Sequence, residues 1–351
     1  MQAENRDTND APVIIAQRYL VEAPLGEGAS GEVHKVWDTH EKVHAALKLL
    51  RHDGPDEAWE EAALLRKLDG DFGNVLRVRN ADVVQGIPYI VTDIAVGTVA
   101  DRLVDNVGLS VYEACRWTSQ AAAGLARIHH LGLVHNDIKP NNLFLDDKND
   151  ILVGDLGLAS KLNPSGFADA CGTPATMAPE AIIGYLTNAP TASIQSDVYS
   201  LAATLYWMLA GRPPRQTDGP VDLADLARIP PTPLLDTAPH VPRGLAAFIM
   251  EALSMDSTLR PRTVGDFANT IDSRPHRDRQ WIPLRPHPEH VRCYRGTHPS
   301  RAPINVCVLP TTGKKLLITA SFDSNRRATP DILVTERQAP QKLRSLFRQL
   351  Q

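Results

Sequence analysis

The run Val134-His135-Asn136-Asp137-Ile138-Lys139-Pro140-Asn141-Asn142-Leu143 constrains this chain more than any other stretch. It sets an aspartate, a lysine and an asparagine at a spacing that lets them share one site. The Asp137 carboxylate can accept a proton from a hydroxyl, Lys139 can neutralise charge on a phosphoryl group in transfer, and Asn142 can hold a magnesium ion. A run this short can arise by chance, so its meaning depends on which residues stand around it and in what order.

Upstream stands Leu25-Gly26-Glu27-Gly28-Ala29-Ser30-Gly31-Glu32-Val33. A glycine pattern of this kind can open a dinucleotide-binding βαβ unit, with a helix directly after it. Here Val33–Trp37 alternates like a strand and meets a turn at Asp38-Thr39-His40, which favours a strand–loop–strand flap. Gly26, Gly28 and Gly31 let its backbone amides approach phosphates closely. Next comes an apolar strand, Val43–Leu50, with Lys48 inside it; a lysine facing a nucleotide needs a carboxylate to keep it charged and aimed. Residues 56–68 read as a helix with Ala58, Glu61, Leu65 and Leu68 on one stripe, so Glu61 is the expected partner and Glu60 the alternative. After the central run, Ile151-Leu152-Val153-Gly154-Asp155-Leu156-Gly157 reads as a short buried strand ending in an aspartate. Asn142 and Asp155 together supply the hard oxygen ligands that Mg²⁺ prefers, shared with phosphate oxygens and water.

In this order the motifs resemble those of a eukaryotic-type (Hanks-type) serine/threonine protein kinase, over roughly residues 18–272. Gly26–Val33 matches the family's glycine loop, Ala46-Leu47-Lys48 its strand lysine, His135-Asn136-Asp137 its catalytic loop and Asp155-Leu156-Gly157 its DFG motif. Met177-Ala178-Pro179-Glu180 resembles the end of its activation segment, Asp197–Leu201 the helix anchoring the catalytic loop, and Arg260 the arginine that pairs with Glu180. The resemblance implies an α+β, bilobal protein-kinase fold, with a β-rich N-lobe over residues 18–94 and a helical C-lobe over 95–272. It implies ATP and Mg²⁺ as cofactors. Val33, Ala46 and Phe144 would sandwich adenine, and the Asp93–Ala95 backbone, next to the gatekeeper Thr92, would pair with it. Lys48, held by Glu61, would grip the α/β-phosphates. Lys139 together with Thr173 resembles serine/threonine rather than tyrosine kinases, so the implied partners are proteins with Ser/Thr acceptors. Ser160, Ser165 and Thr173 are the loop's candidates for autophosphorylation; Thr173 is expected rather to hold Asp137 and Lys139 by hydrogen bonding, and Ser160 and Ser165 read by default as ordinary loop serines.

The chain departs from the family at three places. Asn136 replaces the arginine that in many members binds a phosphate on the activation segment, and an asparagine offers no bidentate positive fork. Activity independent of activation-segment phosphorylation is therefore expected. Leu156 replaces a phenylalanine and keeps the apolar stack, and Thr176 stands where many relatives have a tyrosine or tryptophan. Two other functions share these motifs, a pseudokinase scaffold and a small-molecule phosphotransferase. The full set Lys48, Asp137, Asn142 and Asp155 argues against the first, and Met177–Glu180 against the second.

Length and composition set outer bounds. The 351 residues allow a two-lobed domain plus a small appendage, and 43% hydrophobic residues is a globular content. Met1–Asp10 is polar and acidic, unlike a secretory signal, and no apolar run approaches the ~18 residues of a membrane span, so a cytoplasmic protein without membrane contact is expected. The abundance of arginine, alanine and proline over lysine points to a bacterial, GC-rich genome. The cysteines Cys115, Cys171, Cys293 and Cys307 are scattered, with no CxxC pair and no recognised His/Cys metal spacing, so a reducing compartment and no structural zinc are expected.

Charge divides the chain. From Arg274 onward there are 15 Lys/Arg against 5 Asp/Glu, whereas the remainder has 22 against 36. Residues 273–290, rich in Pro, Arg and His, read as a linker, and residues 1–17 as a flexible leader. Residues 291–351 read as a small basic βββα module, with strands at Val291–Arg295, Ile304–Leu309 and Lys315–Phe322 and an amphipathic helix at Pro340–Gln351. Its basic surface fits contact with the acidic part of the same chain, docking of an acidic partner, or nucleic acid. The scarcity of aromatics for base stacking disfavours the last.

Overall fold

The computed structural model describes residues 13–28, 31–50, 73–104, 106–215, 221–272 and 279–351. These fall into two compact units. One runs to Val96; the other comprises Gly73–Val75 and everything from Gly97 onward. Glu60 and Glu61 lie outside the described residues, as does the helix expected over 56–68.

The first unit is an antiparallel sheet of β1 (Ile14–Ile15), β2 (Tyr19–Gly28), β3 (Gly31–Asp38), β4 (Val43–Leu50), β5 (Val78–Val84) and β6 (Ile87–Thr92), in the order β1-β2-β3-β4-β6-β5. Its core gathers Tyr19, Val36, Ala45, Leu47, Tyr89 and Val91 on one face. The period-2 alternation of a strand then turns Ala46 and Lys48 to the other face, half-buried. The leader expected to be flexible through residue 17 is in part ordered, because β1 pairs with Tyr19 and Leu20. Its turn uses Ala16 and Gln17 at φ 50° and 55°, a left-handed pair without the glycine or asparagine that would have announced a hairpin.

The second unit is largely helical: α1 (Val111–His130), α2 (Pro179–Thr187), α3 (Ile194–Ala210), α4 (Leu223–Leu226), α5 (Leu234–Thr237), α6 (Arg243–Ala252) and α7 (Val264–Asp272). Helix α1 is N-capped by Ser110, whose Oγ accepts from the Glu113 N–H, and buries Trp117, Ala121, Leu125 and Ile128. Helix α3 buries nearly its whole circumference, including Asp197, Ser200 and Thr204, which marks it as the centre of the core. Two short pairings frame the loops that matter for function. β8 (Leu133–Val134) pairs with β11 (Ser160–Lys161), and β9 (Leu143–Leu145) lies between β7 (Gly97–Thr98) and β10 (Ile151–Val153).

The C-terminal module is larger than the sequence suggests. It is a five-stranded antiparallel meander, β12 (Gln280–Leu284), β13 (Arg292–His298), β14 (Arg301–Pro310), β15 (Lys315–Phe322) and β16 (Ile332–Thr335), closed by α8 (Ala339–Gln349). The stretch read as linker through residue 290 therefore supplies a strand. Pro283 hid it, and Pro283 is tolerated because β12 is an edge strand. Trp281 of that strand packs on Phe347 at 4.5 Å between ring centroids, with Tyr294 5.1 Å from the same ring. Tyr294 and Phe347 are thus core residues rather than stacking platforms.

The module and the helices belong to one unit, and basic side chains make the contact. Arg344 of α8 donates to the Leu235 carbonyl at 2.8 Å and approaches Asp236 at 3.3 Å, while Arg292 donates to the Thr237 carbonyl at 3.2 Å. Between them the buried His240 ring faces Tyr294 at 5.8 Å. Burial pushes the His240 imidazole down from 6.5 to about 3, with Arg292 acting in the same direction. His240 is therefore neutral in the fold and would charge on opening. The unfolded chain takes up a proton below pH 6.5 that the folded chain refuses, so this group's contribution to stability is full above pH 6.5 and declines as pH falls. Urea midpoints measured between pH 7.5 and 5 should fall, and His240→Gln should flatten that slope by up to roughly 1.4 kcal/mol per pH unit below 6.5.

Candidate active site

In the first unit, β2 and β3 run antiparallel up to the pair Gly28↔Gly31, with Gly26 opposite Val33 and Val33 opposite Lys48. A strand–loop–strand arrangement thus flanks the glycine run, with no helix opening after it. Gly31 sits at φ 147°, and a Cβ there would lie 2.0 Å from the Leu49 carbonyl oxygen, so only glycine fits. A Cβ at Gly26 would meet nothing within 4 Å, which leaves its backbone approachable. Direct cross-strand pairing puts Val33, Ala46, Lys48 and Thr92 on one face, opposite the core. The Asp93 N–H is already donated to the Arg77 carbonyl at 3.0 Å, and its carboxylate pairs with Arg79. Asp93 can therefore offer a ligand its carbonyl rather than its N–H, and Ala95 follows half-exposed.

In the second unit, the loop after β8 is built around Asp197. This carboxylate is 1% exposed and accepts the His135 N–H at 2.8 Å, the Asn136 N–H at 3.0 Å and His129 Nε2 at 2.7 Å. The anchoring helix expected from Asp197–Leu201 is α3, and Thr204 one turn on reaches the Ile138 carbonyl at 3.3 Å. The loop so held presents Asp137. Oδ1 of Asp137 accepts from the Thr173 N–H at 2.9 Å and Thr173 Oγ1 at 2.6 Å. Its Oδ2 meets Lys139 Nζ at 2.7 Å and Asn142 Nδ2 at 3.0 Å. Burial alone would raise the Asp137 pKa, but Lys139, Thr173 and Asn142 outweigh it and leave it below the ordinary value. Lys139 also donates to Thr173 Oγ1 at 2.8 Å, so Thr173 ties the acid and the lysine together, as expected from the sequence.

Asn142 donates to both the backbone carbonyl (2.8 Å) and the carboxylate of Asp137, which commits its two amino hydrogens. Oδ1 is then the atom Asn142 can offer a cation. Asp155 follows β10 at φ 58°, a left-handed conformation that an aspartate tolerates, and is half-buried. An amide oxygen and a carboxylate form the all-oxygen donor set that suits Mg²⁺. Phe144, half-buried, lies on β9 opposite Leu152 and Thr98. Leu156 is buried, as an apolar stand-in for an aromatic should be.

Asn136 has a role that the sequence did not disclose. Its Nδ2 lies 3.0 Å from the Leu158 carbonyl, 3.1 Å from Ser160 Oγ and 3.1 Å from the Asp169 carbonyl. Three points of the segment 155–180 thus converge on one neutral amide. The β8–β11 pairing and the Ala168↔Ala192 bridge hold the same segment. At its far end Glu180 is held bidentately by buried Arg260, at 2.7 and 2.8 Å, with Tyr199 beneath the guanidinium at 4.9 Å.

Residues 19–269 match the family model of the protein kinase domain. The chain belongs to the protein kinase family. A probable serine/threonine-protein kinase of Clostridium acetobutylicum is 29% identical over 237 residues, covering 63% of this chain and 35% of that protein. The serine/threonine-protein kinase PknB of Mycolicibacterium smegmatis is 30% identical over 273 residues, covering 73% and 42%, and a probable PknB of Bifidobacterium longum is 27% identical over 275 residues, covering 72% and 39%. The chain spans less than half the length of these curated relatives. Among the described residues, no helix is long and apolar enough to cross a membrane.

Cys171 lies in the held segment, its Sγ 3.4 Å from the Leu158 carbonyl. Burial, with Asp137 and Asp169 nearby, pushes its thiol up to about 11. That leaves roughly a hundredfold less thiolate near neutral pH than an ordinary cysteine carries. Iodoacetamide labelling at pH 7.5 followed by peptide mapping should show Cys171 reacting far more slowly in the native protein than in urea.

Proposed function

We propose that the chain is an ATP-dependent serine/threonine protein kinase, acting in the cytoplasm, whose turnover does not depend on phosphate in its activation segment. The observation that carries the reading is the Asp137 network. Lys139, Thr173 and Asn142 hold the carboxylate ionised and oriented, and release of the Lys139 contact would raise its basicity toward the proton of a Ser/Thr hydroxyl. Each of its oxygens already has two donors, so an incoming hydroxyl must replace one of them. Lys139 is the donor with another use, since its charge suits the phosphoryl group in transfer. Its shift from Asp137 toward that group would admit the hydroxyl and stabilise the developing charge in one movement. Thr173 keeps the carboxylate oriented while this happens. Asn142 and Asp155 would hold Mg²⁺, which supplies charge neutralisation at the phosphates. Lys48, for which Glu61 is the expected partner, would grip the α/β-phosphates, and the backbone of Gly26, Gly28 and Gly31 would cover them. Val33, Ala46, Phe144 and the Asp93–Ala95 backbone would take the adenine.

Phosphate independence is supported by Asn136. A neutral amide bonded to Leu158, Ser160 and Asp169 gives the segment a polar hold that calls for no charged partner. In a kinase assay with labelled ATP and Mg²⁺, Asp137→Ala should lose about 10³-fold or more in kcat, and Thr173→Ala about tenfold or more with little change in the KM for ATP. Incorporation that survives Asp137→Ala, or that goes to a small molecule and never to protein, would sink the kinase reading. Phosphatase-treated protein and a Ser165→Ala variant should keep their turnover, whereas Asn136→Ala should lose at least about tenfold as the segment loosens. Abolition of turnover by phosphatase would refute phosphate independence while leaving the kinase reading intact.

A further inference from the structure

The C-terminal module carries a second cluster of reactive side chains, one that phosphoryl transfer does not use. His287, His290, Cys293 and Cys307 present one ligand atom each, all within 4.8 Å of one another. This corrects the expectation that no His/Cys grouping suited to a metal is present. The two Nδ1 atoms of His287 and His290 are 3.3 Å apart. Cys293 Sγ lies 3.3 Å from His290 Nδ1 and 3.4 Å from His287 Nδ1, and Cys307 Sγ lies 3.9 Å from His287 Nδ1.

Three of these four separations match the edges of a tetrahedron around a metal, the Cys307–His287 edge of 3.9 Å is somewhat longer, and every pair in the set lies within 4.8 Å. With Zn–N of ~2.05 Å and Zn–S of ~2.3 Å, a regular tetrahedron has N···N edges of ~3.3 Å and N···S edges of ~3.5 Å. Mutual hydrogen bonding accounts poorly for the same set. Two imidazoles and two thiols have few strong donor–acceptor pairs among them, yet their four polar heads converge. Two nitrogens and two sulfurs in tetrahedral array suit zinc, and the oxygen-seeking cations Mg²⁺ and Ca²⁺ find no carboxylate in the set.

The backbone shows why these four meet. Cys293 on β13 and Cys307 on β14 are directly opposite in register, so their side chains share one face and neighbour each other. Between β12 and β13 the chain turns through His287-Pro288-Glu289-His290, closed by the His290 N–H donating to the His287 carbonyl at 3.0 Å. Glu289 takes φ 69° in this turn, which folds the two histidines back over the cysteine pair. The strand that carries Cys293 also carries the docking residues on either side of it. Arg292 bonds the Thr237 carbonyl and Tyr294 faces His240.

We propose that His287, His290, Cys293 and Cys307 form a structural zinc site that ties the β12–β13 turn to β14 and fixes the strand by which the module holds the helical lobe. All four positions are filled by protein, so the ion is closed to substrate, and its binding energy goes into the fold. The site stands on the module alone and does not depend on the kinase reading.

The test is metal analysis of the full chain purified under reducing conditions without chelator. About one zinc per chain is expected by mass spectrometry of the metal. It should be lost from Cys293→Ser and Cys307→Ser, and kept by His287→Cys, which exchanges one competent ligand for another. Because the serine variants can fail to fold, cobalt substitution of the wild-type chain provides a second readout. Strong visible d–d bands with a thiolate-to-cobalt charge-transfer band mark a tetrahedral site containing sulfur. The proposal is overturned if wild-type protein, reduced and reconstituted with zinc chloride, holds no more zinc than the Cys293→Ser/Cys307→Ser double variant. It is also overturned if cobalt gives only the weak bands of an octahedral ion, or if Cys293 and Cys307 are recovered as a disulfide from the native protein.

Discussion

One buried carboxylate organises the helical unit. Asp197 accepts two successive backbone N–H groups of the catalytic loop and a histidine from α1. Hydrogen bonds to a charged acceptor are worth ~1.5–3 kcal/mol each, and a charge left unpaired in this place would cost more. The loop can therefore adopt one conformation with Asp197 satisfied and pays heavily for any other. Everything that Asp137 does follows from that constraint, because its neighbours Lys139, Asn142 and Thr173 reach it only when the loop is held.

The same economy governs the segment between Asp155 and Glu180. Its two ends are fixed by different physics. A neutral amide, Asn136, gathers the near part through short polar contacts, while a bidentate ion pair stacked on an aromatic ring, Glu180 with Arg260 over Tyr199, secures the far end. Asn136 meets the segment through two carbonyls and a hydroxyl, with no charged group in the contact.

The module at the C-terminus is held by similarly small means. Its core is a cluster around Trp281, Tyr294 and Phe347, and its contact with the helices is made by two arginines and a neutral buried histidine. The surplus positive charge of this region is thus in part used within the chain. A zinc ion beside Cys293 would stiffen the strand between Arg292 and Tyr294, where that contact is made.

The candidate site was legible in the sequence because its parts are local or strictly ordered. Asp137, Lys139 and Asn142 fall within a single loop, and the strand of Lys48, the turn of Asp155 and the Glu180–Arg260 pair follow in fixed succession. Regular alternation also gave away β3, β4 and β15. The edge strand β12 stayed hidden because Pro283 reads as a breaker and only its place at the margin of the sheet excuses it. Leader strand β1 stayed hidden because its turn lacks the usual residues. Sequence alone, then, determined the family, the order of the parts of the candidate site and the division of charge. Tertiary structure decided that Asn136 clasps the segment, that His240 is neutral, and that His287, His290, Cys293 and Cys307 converge. Each of these depends on strand register or on burial, which bring together residues that no spacing along the chain connects.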